Sequence, residues 1–387
     1  MPDGPRLVVL GMMGGTPFAG VAWQVLHYLE GLRRLGCDVH YVEQTGAWPY
    51  DPERNAITDD ASYAAGHIER AAGWAALEGR WAYVAPDGQV WGMDAGKLDR
   101  LLGRCDALIN LTGATVLQEQ HMRVPVRIYL ETDPVLPQIE VAQGREFTIA
   151  LLEAHTHHFS FGEKLGHPDC RVPVERFNYL PTRQPVVLDW WSAQGGAENG
   201  RYTTVSSWRQ TQKDVVWAGE TYYWSKDREF MKVLDLPRRT AASFELALAI
   251  DDGEALSALE TAGWTVSDGL ELSREIQSYR EFVVASRAEF TVAKDQNVRL
   301  RSGWFSDRSA SYLAAGRPVV TQDTGFGDIL PTGAGLFAFC DIAEAIAAVE
   351  AIEAGYQTHA CAAREIAHEY FASDKVLASL LARAGLA

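Results

Sequence analysis

The sequence predicts an α/β protein of two domains, each with a mostly parallel β-sheet covered by helices and facing a shared cleft. Three observations favour this fold class. Short apolar runs alternate with amphipathic, helix-periodic segments along most of the chain, which is typical of βαβ units. The length of 387 residues exceeds one ordinary core. Finally, a segment rich in Pro, Trp and Gly interrupts the alternation near residues 180–200, as expected of a domain linker.

The amino-acid composition and net charge indicate a packed globular protein and limit which partners it can bind. Hydrophobic residues make up 47% and charged residues 22% of the chain, a balance typical of packed domains. The net charge of −16 argues against nucleic acid or an anionic membrane as the main partner. No apolar run approaches the ~20 residues that span a bilayer, and the start of the chain has the pattern of a strand. Five cysteines without metal-binding spacing predict a reduced, cytoplasmic protein without a metal.

The first domain, predicted over residues 1–185, opens with a βαβ unit. Arg6–Met13 is a buried strand, a glycine loop follows at Gly14–Gly20, and Val21–Leu35 has helical apolar spacing before the strand Asp38–Glu43. The glycines do not spell a dinucleotide fingerprint, so the loop is either a tight turn or a place of close approach to a ligand. Further elements are predicted in the order helix Ala61–Leu77, hairpin Trp81–Trp91, helix Asp94–Gly103, strands Asp106–Leu111 and Val124–Leu130, helix Arg145–Ala154 and strand His157–Phe161.

We place the linker at residues 186–200, the second domain at 201–365, and a last helical segment at 366–387. The second domain repeats the alternation of strands and helices. Its predicted strands are Thr203–Trp208, Asp214–Ala218, Phe244–Ile250, Trp264–Val266, Glu289–Ala293, Val319–Thr321 and Gly335–Phe339. Its predicted helices, with those of the last segment, are Lys226–Leu234, Gly253–Ala262, Ser273–Ser286, Ile342–Ala354, Thr358–Tyr370 and Asp374–Arg383.

The stretch Ser302–Pro331 is the strongest candidate for an anion site. A short helix capped by Ser306 or Asp307 ends at Gly316 and leads into a buried strand and a glycine-containing loop. A helix N-terminus and a glycine loop at one sheet edge favour anions, and Arg308 adds a positive charge there. The pattern therefore predicts a diphosphate site.

Three segments of the sequence resemble those of the GT-B glycosyltransferases. Leu313–Val320, LAAGRPVV, resembles the family's AAGxPVV, and Ala218–Lys226 is similar to its GR…K segment, in which a lysine contacts the diphosphate. The last helices, with Phe371, resemble a C-terminal helix that crosses back to the first domain. Many retaining members carry two glutamates at the positions of Gly303 and Ser311 here, so the resemblance is to a divergent branch related to the group-1 enzymes.

This resemblance implies two Rossmann-like domains and transfer of a sugar from a nucleoside diphosphate to a small-molecule or saccharide acceptor. It implies no metal and no cofactor beyond the nucleotide sugar. The implied donor and phosphate residues are Arg209, Lys226, Ser306, Asp307, Arg308, Ser309, Gln322, Asp323, Thr324 and Gly325. The implied acceptor-side residues are Gly14, Gly15, Glu131, Asp133, His157 and Glu163.

The catalytic candidates are Asp133, as the base that takes the acceptor proton, and Lys226, as a cation on the leaving diphosphate. Both residues also have a structural interpretation. Asp133 precedes Pro134 and is equally well suited to form a turn, and Lys226 could be a solvated lysine at the start of a helix. Four aromatic candidates for the cleft are Trp208, Trp217, Trp224 and Trp304. Three alternative functions stay open, namely a related sugar-nucleotide epimerase, a phosphorylase, and an inactive binding or scaffold protein.

Overall fold

The computed structural model describes residues 4–192, 199–210 and 213–387. Part of the predicted linker, residues 193–198, lies outside the described residues. Two β-sheets, each flanked by helices, account for most of the described chain. The predicted fold class is therefore confirmed.

The first sheet has eight strands, and its neighbours are parallel except for one antiparallel hairpin at the edge. The strands are β1 (Arg6–Leu10), β2 (Asp38–Glu43), β5 (Trp81–Val84), β6 (Val90–Gly92), β7 (Ala107–Leu111), β8 (Val126–Glu131), β9 (His157–Ser160) and β10 (Tyr179–Pro181), with a separate hairpin of β3 (Tyr50–Asp51) and β4 (Ala56–Ile57). Their order is β10-β9-β8-β7-β1-β2-β5-β6. The order reverses at β1, which makes the space beyond the carboxyl ends of β1 and β7 a ligand crevice.

The helices of this domain are α1 (Ala19–Arg34), α2 (Ser62–Trp74), α3 (Ala95–Leu102), α4 (Glu119–Met122), α5 (Leu136–Ala142) and α6 (Glu146–Glu153). They bury both faces of the central strand β1. Leu7 and Val9 point into one apolar core and Val8 and Leu10 into another, all fully buried. A parallel strand that is covered on both faces needs such a continuous apolar run, and this run made β1 recognisable in the sequence.

The second sheet has six parallel strands in the order β15-β14-β11-β16-β17-β18. They are β11 (Arg201–Ser207), β14 (Ser243–Ala249), β15 (Thr265–Asp268), β16 (Ala288–Thr291), β17 (Val319–Gln322) and β18 (Leu336–Phe339), beside a hairpin of β12 (Val215–Trp217) and β13 (Glu220–Tyr222). The helices are α7 (Asp227–Lys232), α8 (Leu236–Arg239), α9 (Gly253–Ala262), α10 (Gly269–Leu272), α11 (Ile276–Ala285), α12 (Asp295–Leu300), α13 (Asp307–Ala314), α14 (Ile342–Ala354), α15 (Tyr356–Ile366) and α16 (Ser373–Arg383). The strand order reverses between β11 and β16.

Several elements differ from the prediction at their ends or were not predicted. β1 stops at Leu10, because the chain turns there and the backbone N–H of Met13 donates to Tyr41 Oη at 3.0 Å. α5 was missed because Asp133-Pro134 predicts a turn, whereas Pro137 occupies the first turn of the helix, where a missing N–H costs nothing. The segment Asp214–Ala218 is the first arm of a hairpin rather than a strand of the main sheet.

The last helix, α16, packs against α1 of the first domain. A Cβ atom placed on Gly31 of α1 would lie 2.5 Å from Leu377 Cδ1 and 2.9 Å from Ser373 Cβ. The contact therefore requires glycine at position 31. Arg383 at the end of α16 donates to the carbonyl oxygen of Pro181 at 2.7 Å, so the helix also reaches β10.

A cluster of charges joins the two domains. Lys164, whose side chain is 3% exposed, pairs with Asp169 of its own domain and with Asp328 of the second domain. Arg301 pairs with the same two carboxylates at 3.1 Å each. Lys164 and Arg301 thus each pair with one carboxylate from the first domain and one from the second. Within the described ranges, no helix combines the length and apolar character needed to cross a membrane.

Candidate functional site

A cleft of about 760 Å³ lies between the two sheets. It is lined by residues that follow the carboxyl ends of strands in both domains, as expected for parallel sheets. The first domain contributes Thr16, Phe18, Gly20, Val21, Tyr50 and Asp133. The second domain contributes most of the lining, including Ser206, Ser207, Arg209, Trp224, Lys226, Gly269, Leu270, Tyr279, Lys294, Trp304, Ser306, Asp307 and Arg308. Six of the predicted site residues therefore meet in one place.

The second-domain wall carries a concentration of positive charge around Lys226. Burial lowers the pKa of Lys226 well below its usual value, and the positive charges of Arg308 and Lys294 lower it further. The negative charges of Glu289 and Asp133 have the opposite, smaller effect and raise the pKa. Among the described residues, no hydrogen bond or ion pair is made by the Lys226 ammonium group. A buried lysine beside two other cations is costly unless an anion binds there.

Arg308 is held rigidly at the point where the strand order reverses. Its Nε donates to Glu289 Oε1 at 2.6 Å, its Nη1 to the carbonyl oxygen of Val205 at 2.7 Å, and its Nη2 to Thr291 Oγ1 at 3.0 Å. Val205 belongs to β11, and Glu289 and Thr291 to β16. The guanidinium group has five N–H donors, so these three bonds leave donors for a ligand in the cleft.

Asp133 is bound from the opposite wall. The ammonium group of Lys294 donates to Asp133 Oδ1, and its Nζ lies 3.3 Å from the ring centroid of Trp224. Burial lowers the pKa of Lys294, whereas Asp133 raises it. The ion pair and the ring together fix the side chain that the sequence identified as the candidate base.

Asp307 also spans the two walls. Gln24 of α1 donates to Asp307 Oδ2 at 3.2 Å, across the domain boundary. Burial raises the pKa of Asp307, and Arg308 opposes this rise, while Asp133 adds to it. Ser306 occupies the N-cap position of α13, but its side chain makes no cap hydrogen bond, contrary to the predicted cap. Ser306 Oγ therefore stays directed toward the polar groups of the cleft, 3.4 Å from Asp307 Oδ1.

Arg209 lines the cleft while paired with acidic residues of its own domain. Its Nε lies 3.0 Å from Asp227 Oδ2 and its Nη1 3.4 Å from Asp252 Oδ2. Of the four tryptophans predicted near the cleft, Trp224 and Trp304 line it. Trp208 instead is buried in the second core, stacked on Phe230, and Trp217 lies in the β12–β13 hairpin.

The predicted glycine loop of the first domain binds a side chain of its own chain. The N–H groups of Gly14 and Gly15 donate to the two carboxylate oxygens of Glu43, at 2.7 and 2.5 Å. Tyr41 Oη donates to the same carboxylate at 2.7 Å. Burial nevertheless raises the pKa of Glu43 to about 7, although these hydrogen bonds oppose the rise. Neither glycine is part of the cleft lining, which begins at Thr16.

Three other acceptor-side candidates lie outside the lining. Glu131 is buried and accepts hydrogen bonds from Gln138 at 2.8 Å and from Ser160 at 2.5 Å, and burial raises its pKa to about 8. His157 begins β9, so it lies at the amino edge of the sheet, opposite the edge that faces the cleft. Glu163 pairs with Arg183 at 2.6 Å. Their polar groups are used within the first domain.

The loop predicted to bind phosphate likewise makes its hydrogen bonds within the protein. Gln322 donates to Glu229 at 2.6 Å, Thr324 to the carbonyl oxygen of Trp304 at 2.6 Å, and Asp323 accepts from the N–H of Gly325 at 2.9 Å. A Cβ on Gly325, where φ is 94°, would lie 2.8 Å from Lys164 Cδ. Ser309 is fully buried. None of these five residues lines the cleft, whereas five other predicted donor residues do, namely Arg209, Lys226, Ser306, Asp307 and Arg308.

Sequence reasoning missed Lys294 and Tyr50 as residues of the cleft, whereas Phe18 lies in the loop Gly14–Gly20, which was predicted as a possible place of close approach to a ligand. Lys294 follows β16 closely and was detectable as a charge beyond a strand end, the same signal that identified Asp133. Tyr50 begins the two-residue strand β3, whose path the sequence does not specify. Among the described residues, no group of three or more His, Cys, Asp or Glu side chains is placed to hold a metal ion.

No protein-family model matches the chain, and no curated protein is similar to it in sequence. Solved structures resemble it in fold. An α-glucosyltransferase in complex with UDP and a 13-mer DNA containing an HMU base superposes with a TM-score of 0.62 at 11% identity, covering 99% of this chain and 100% of the other. HepE from Anabaena, in complex with UDP-glucose, gives 0.57 at 11% identity, covering 98% and 100%.

AviGT4, a glycosyltransferase of avilamycin A biosynthesis, gives a TM-score of 0.54 at 12% identity, covering 98% of this chain and 97% of the other. The likeness in each case extends over both domains. It is a likeness of architecture, since at most one residue in about eight is shared. The chain has the GT-B fold of the nucleotide-sugar glycosyltransferases.

Proposed function

We propose that this protein is a glycosyltransferase that moves a sugar from a nucleoside-diphosphate sugar to a small-molecule or saccharide acceptor. The observation that carries the proposal is the buried ammonium group of Lys226, which has no partner among the described residues, beside Arg308 and Lys294 in the interdomain cleft. Three cations in a cleft of a chain with net charge −16 favour a compact anion. A diphosphate supplies the required charge and accepts several hydrogen bonds.

In the proposed reaction, the oxygen of an acceptor hydroxyl group bonds to the anomeric carbon of the sugar. The bond between that carbon and the diphosphate oxygen breaks, and its electron pair leaves with the nucleoside diphosphate. Lys226 and Arg308 stabilise the charge that develops on the diphosphate, without a metal. The hydroxyl proton passes to the carboxylate of Asp133, which Lys294 holds at the opposite wall.

Donor binding is the first test. Calorimetric titration with UDP-, GDP- and dTDP-sugars is expected to identify at least one that binds, and Lys226→Met is expected to abolish that binding. Lys375→Met is the matched control, because Lys375 is an exposed lysine of α16 paired with Glu369. If no nucleotide sugar binds, or if the lysine in the cleft can be replaced without effect, the proposal is wrong.

Product analysis separates this function from the alternatives. A transferase releases a nucleoside diphosphate and a glycosylated acceptor, whereas an epimerase changes the configuration of the sugar. The cleft does bring together three carboxylates, Asp133, Asp251 and Asp307, but no histidine is among the described residues that line it. Chromatography and mass spectrometry of reaction mixtures are expected to show the diphosphate as a product.

A further inference from the structure

The two walls of the cleft differ sharply in charge. All four lysine and arginine residues of the lining, namely Arg209, Lys226, Lys294 and Arg308, come from the second domain. The first-domain wall, as far as the chain is described, carries one charged side chain, the carboxylate of Asp133. An anionic ligand group bound against the first-domain wall would lie near the Asp133 carboxylate, and that wall supplies no cation to offset the repulsion. Such repulsion is strong in a cleft of low dielectric constant.

The same wall presents a pair of aromatic rings. The rings of Phe18 and Tyr50 are 5.6 Å apart between centroids and inclined by 34°, and both side chains are half-buried. Phe18 lies in the loop between β1 and α1, and Tyr50 is the first residue of β3. Two adjacent aromatic rings at the surface of a cleft form an apolar platform on which a flat ring of a ligand can stack.

Hydrogen bonds fix this platform before any ligand binds. The N–H of Tyr50 donates to the carbonyl oxygen of Gly15 at 3.1 Å, and Tyr50 Oη donates to Asn55 Oδ1 at 2.6 Å. Gly15 is in turn held by Glu43, and the N–H of Phe18 donates to the carbonyl oxygen of Thr16 at 2.8 Å. A preorganised surface binds a ligand without first losing side-chain freedom.

We propose that Phe18 and Tyr50 form the acceptor platform, and that the acceptor is an uncharged molecule with an apolar ring face rather than a phosphorylated compound or a nucleic acid. This inference rests on the proposed function, since it assigns the second substrate of the same cleft. The ring stacks on the platform, and the reacting hydroxyl group points toward Asp133. The cationic wall remains for the donor diphosphate.

The test measures acceptor binding separately from donor binding. In the presence of the nucleoside diphosphate that binds, titrations followed by saturation-transfer NMR use phenyl β-glucoside as the neutral ring probe, glucose 6-phosphate as the phosphorylated probe and a 13-mer DNA duplex as the nucleic acid. Phenyl β-glucoside is expected to bind most tightly of the three. Phe18→Ala and Tyr50→Ala are each expected to raise its Kd about tenfold, the effect of losing one aromatic contact.

Two further variants keep the result interpretable. Phe18→Leu retains apolar volume but removes the ring, so it reports on stacking even if the alanine variants are unstable. Phe147→Ala removes a phenylalanine of α6 that is 69% exposed and outside the cleft, and it is expected to change nothing. Tighter binding of glucose 6-phosphate or DNA, no binding of the phenyl glucoside, or an unchanged Kd in Phe18→Leu overturns the platform. Absence of any nucleotide binding overturns the proposed function instead.

Discussion

Lys294 of the second domain donates from its ammonium group to the carboxylate of Asp133 in the first domain, so an ion pair crosses the cleft that both residues line. The side chain of Lys294 is 13% exposed and that of Asp133 is 41% exposed. Asp133 thus retains contact with the open part of the cleft while Lys294 is covered. The position of the candidate base therefore depends on the second domain as well as on the strand that precedes it.

Asp133→Asn is expected to lower the rate of sugar transfer by roughly 10²–10⁴-fold, the usual contribution of a general base. Donor affinity is expected to change much less, because the amide keeps the shape of the side chain and the diphosphate binds the other wall. Initial rates together with donor titrations measure the two effects. Asp235→Asn, at an exposed surface pair with Arg238, is the control. Equal loss of donor affinity and rate would assign Asp133 to donor binding.

Donor binding is expected to take up a proton. Burial lowers the pKa of Lys226 in the free protein, and a bound diphosphate raises it again, so Lys226 binds a proton between these two pKa values. Donor affinity should accordingly fall as the pH rises through that interval. Calorimetry in buffers with different ionisation enthalpies measures the uptake. Lys226→Met is expected to remove it, and uptake that persists in this variant would place the titrating group elsewhere.

Glu289→Gln is expected to destabilise the fold by about 3–5 kcal/mol, because it leaves the buried guanidinium group of Arg308 without its charge partner. Glu289 is fully buried, and the side chain of Arg308 is 11% exposed. Urea unfolding measures the loss. The double variant Glu289→Gln/Arg308→Met is expected to recover part of it, since neither member of the pair then carries a charge. A double variant that is less stable than Glu289→Gln would contradict this account of the pair.

Glu43 is expected to make stability depend on pH. Burial raises the pKa of Glu43 from 4.5 to about 7, so the folded protein binds more protons at this group than the unfolded chain. The resulting stabilisation is complete below the unfolded pKa and disappears as the pH rises through about 7, a change of about 3 kcal/mol. Unfolding of wild type and Glu43→Gln between pH 4 and pH 8 isolates it. A constant difference between the two proteins would contradict the raised pKa.

The alternation of elements and the direction of the strands followed from sequence, because parallel strands buried on both faces require continuous apolar runs such as Leu7–Leu10. The same reasoning placed Asp133 and Lys226 at the cleft. Asp133 follows the carboxyl end of β8, and Lys226 precedes the first residue of α7. Short elements such as α4 and α5 were missed, because in four or seven residues tertiary contacts outweigh local preference.

The errors at the candidate site have a common physical cause. Gly14, Gly15 and Gly325 have the residue type that favours anion contact, but the side chains of Glu43 and Lys164 occupy the adjacent space. Such occupation depends on residues about 30 and 160 positions away in the sequence. Local pattern identifies a loop that can bind a ligand, whereas the fold decides whether the chain itself already fills it.

The close contact between Gly31 and Leu377 has a consequence for how the protein is made. About 350 residues separate the two positions, and synthesis at ~5–20 residues per second adds them over roughly 20–70 s. During that interval α1 of the nascent chain has no α16 to cover it, so the apolar surface that Leu377 later covers faces the ribosome and the surrounding chaperones. The first domain to emerge is therefore among the last to be completed.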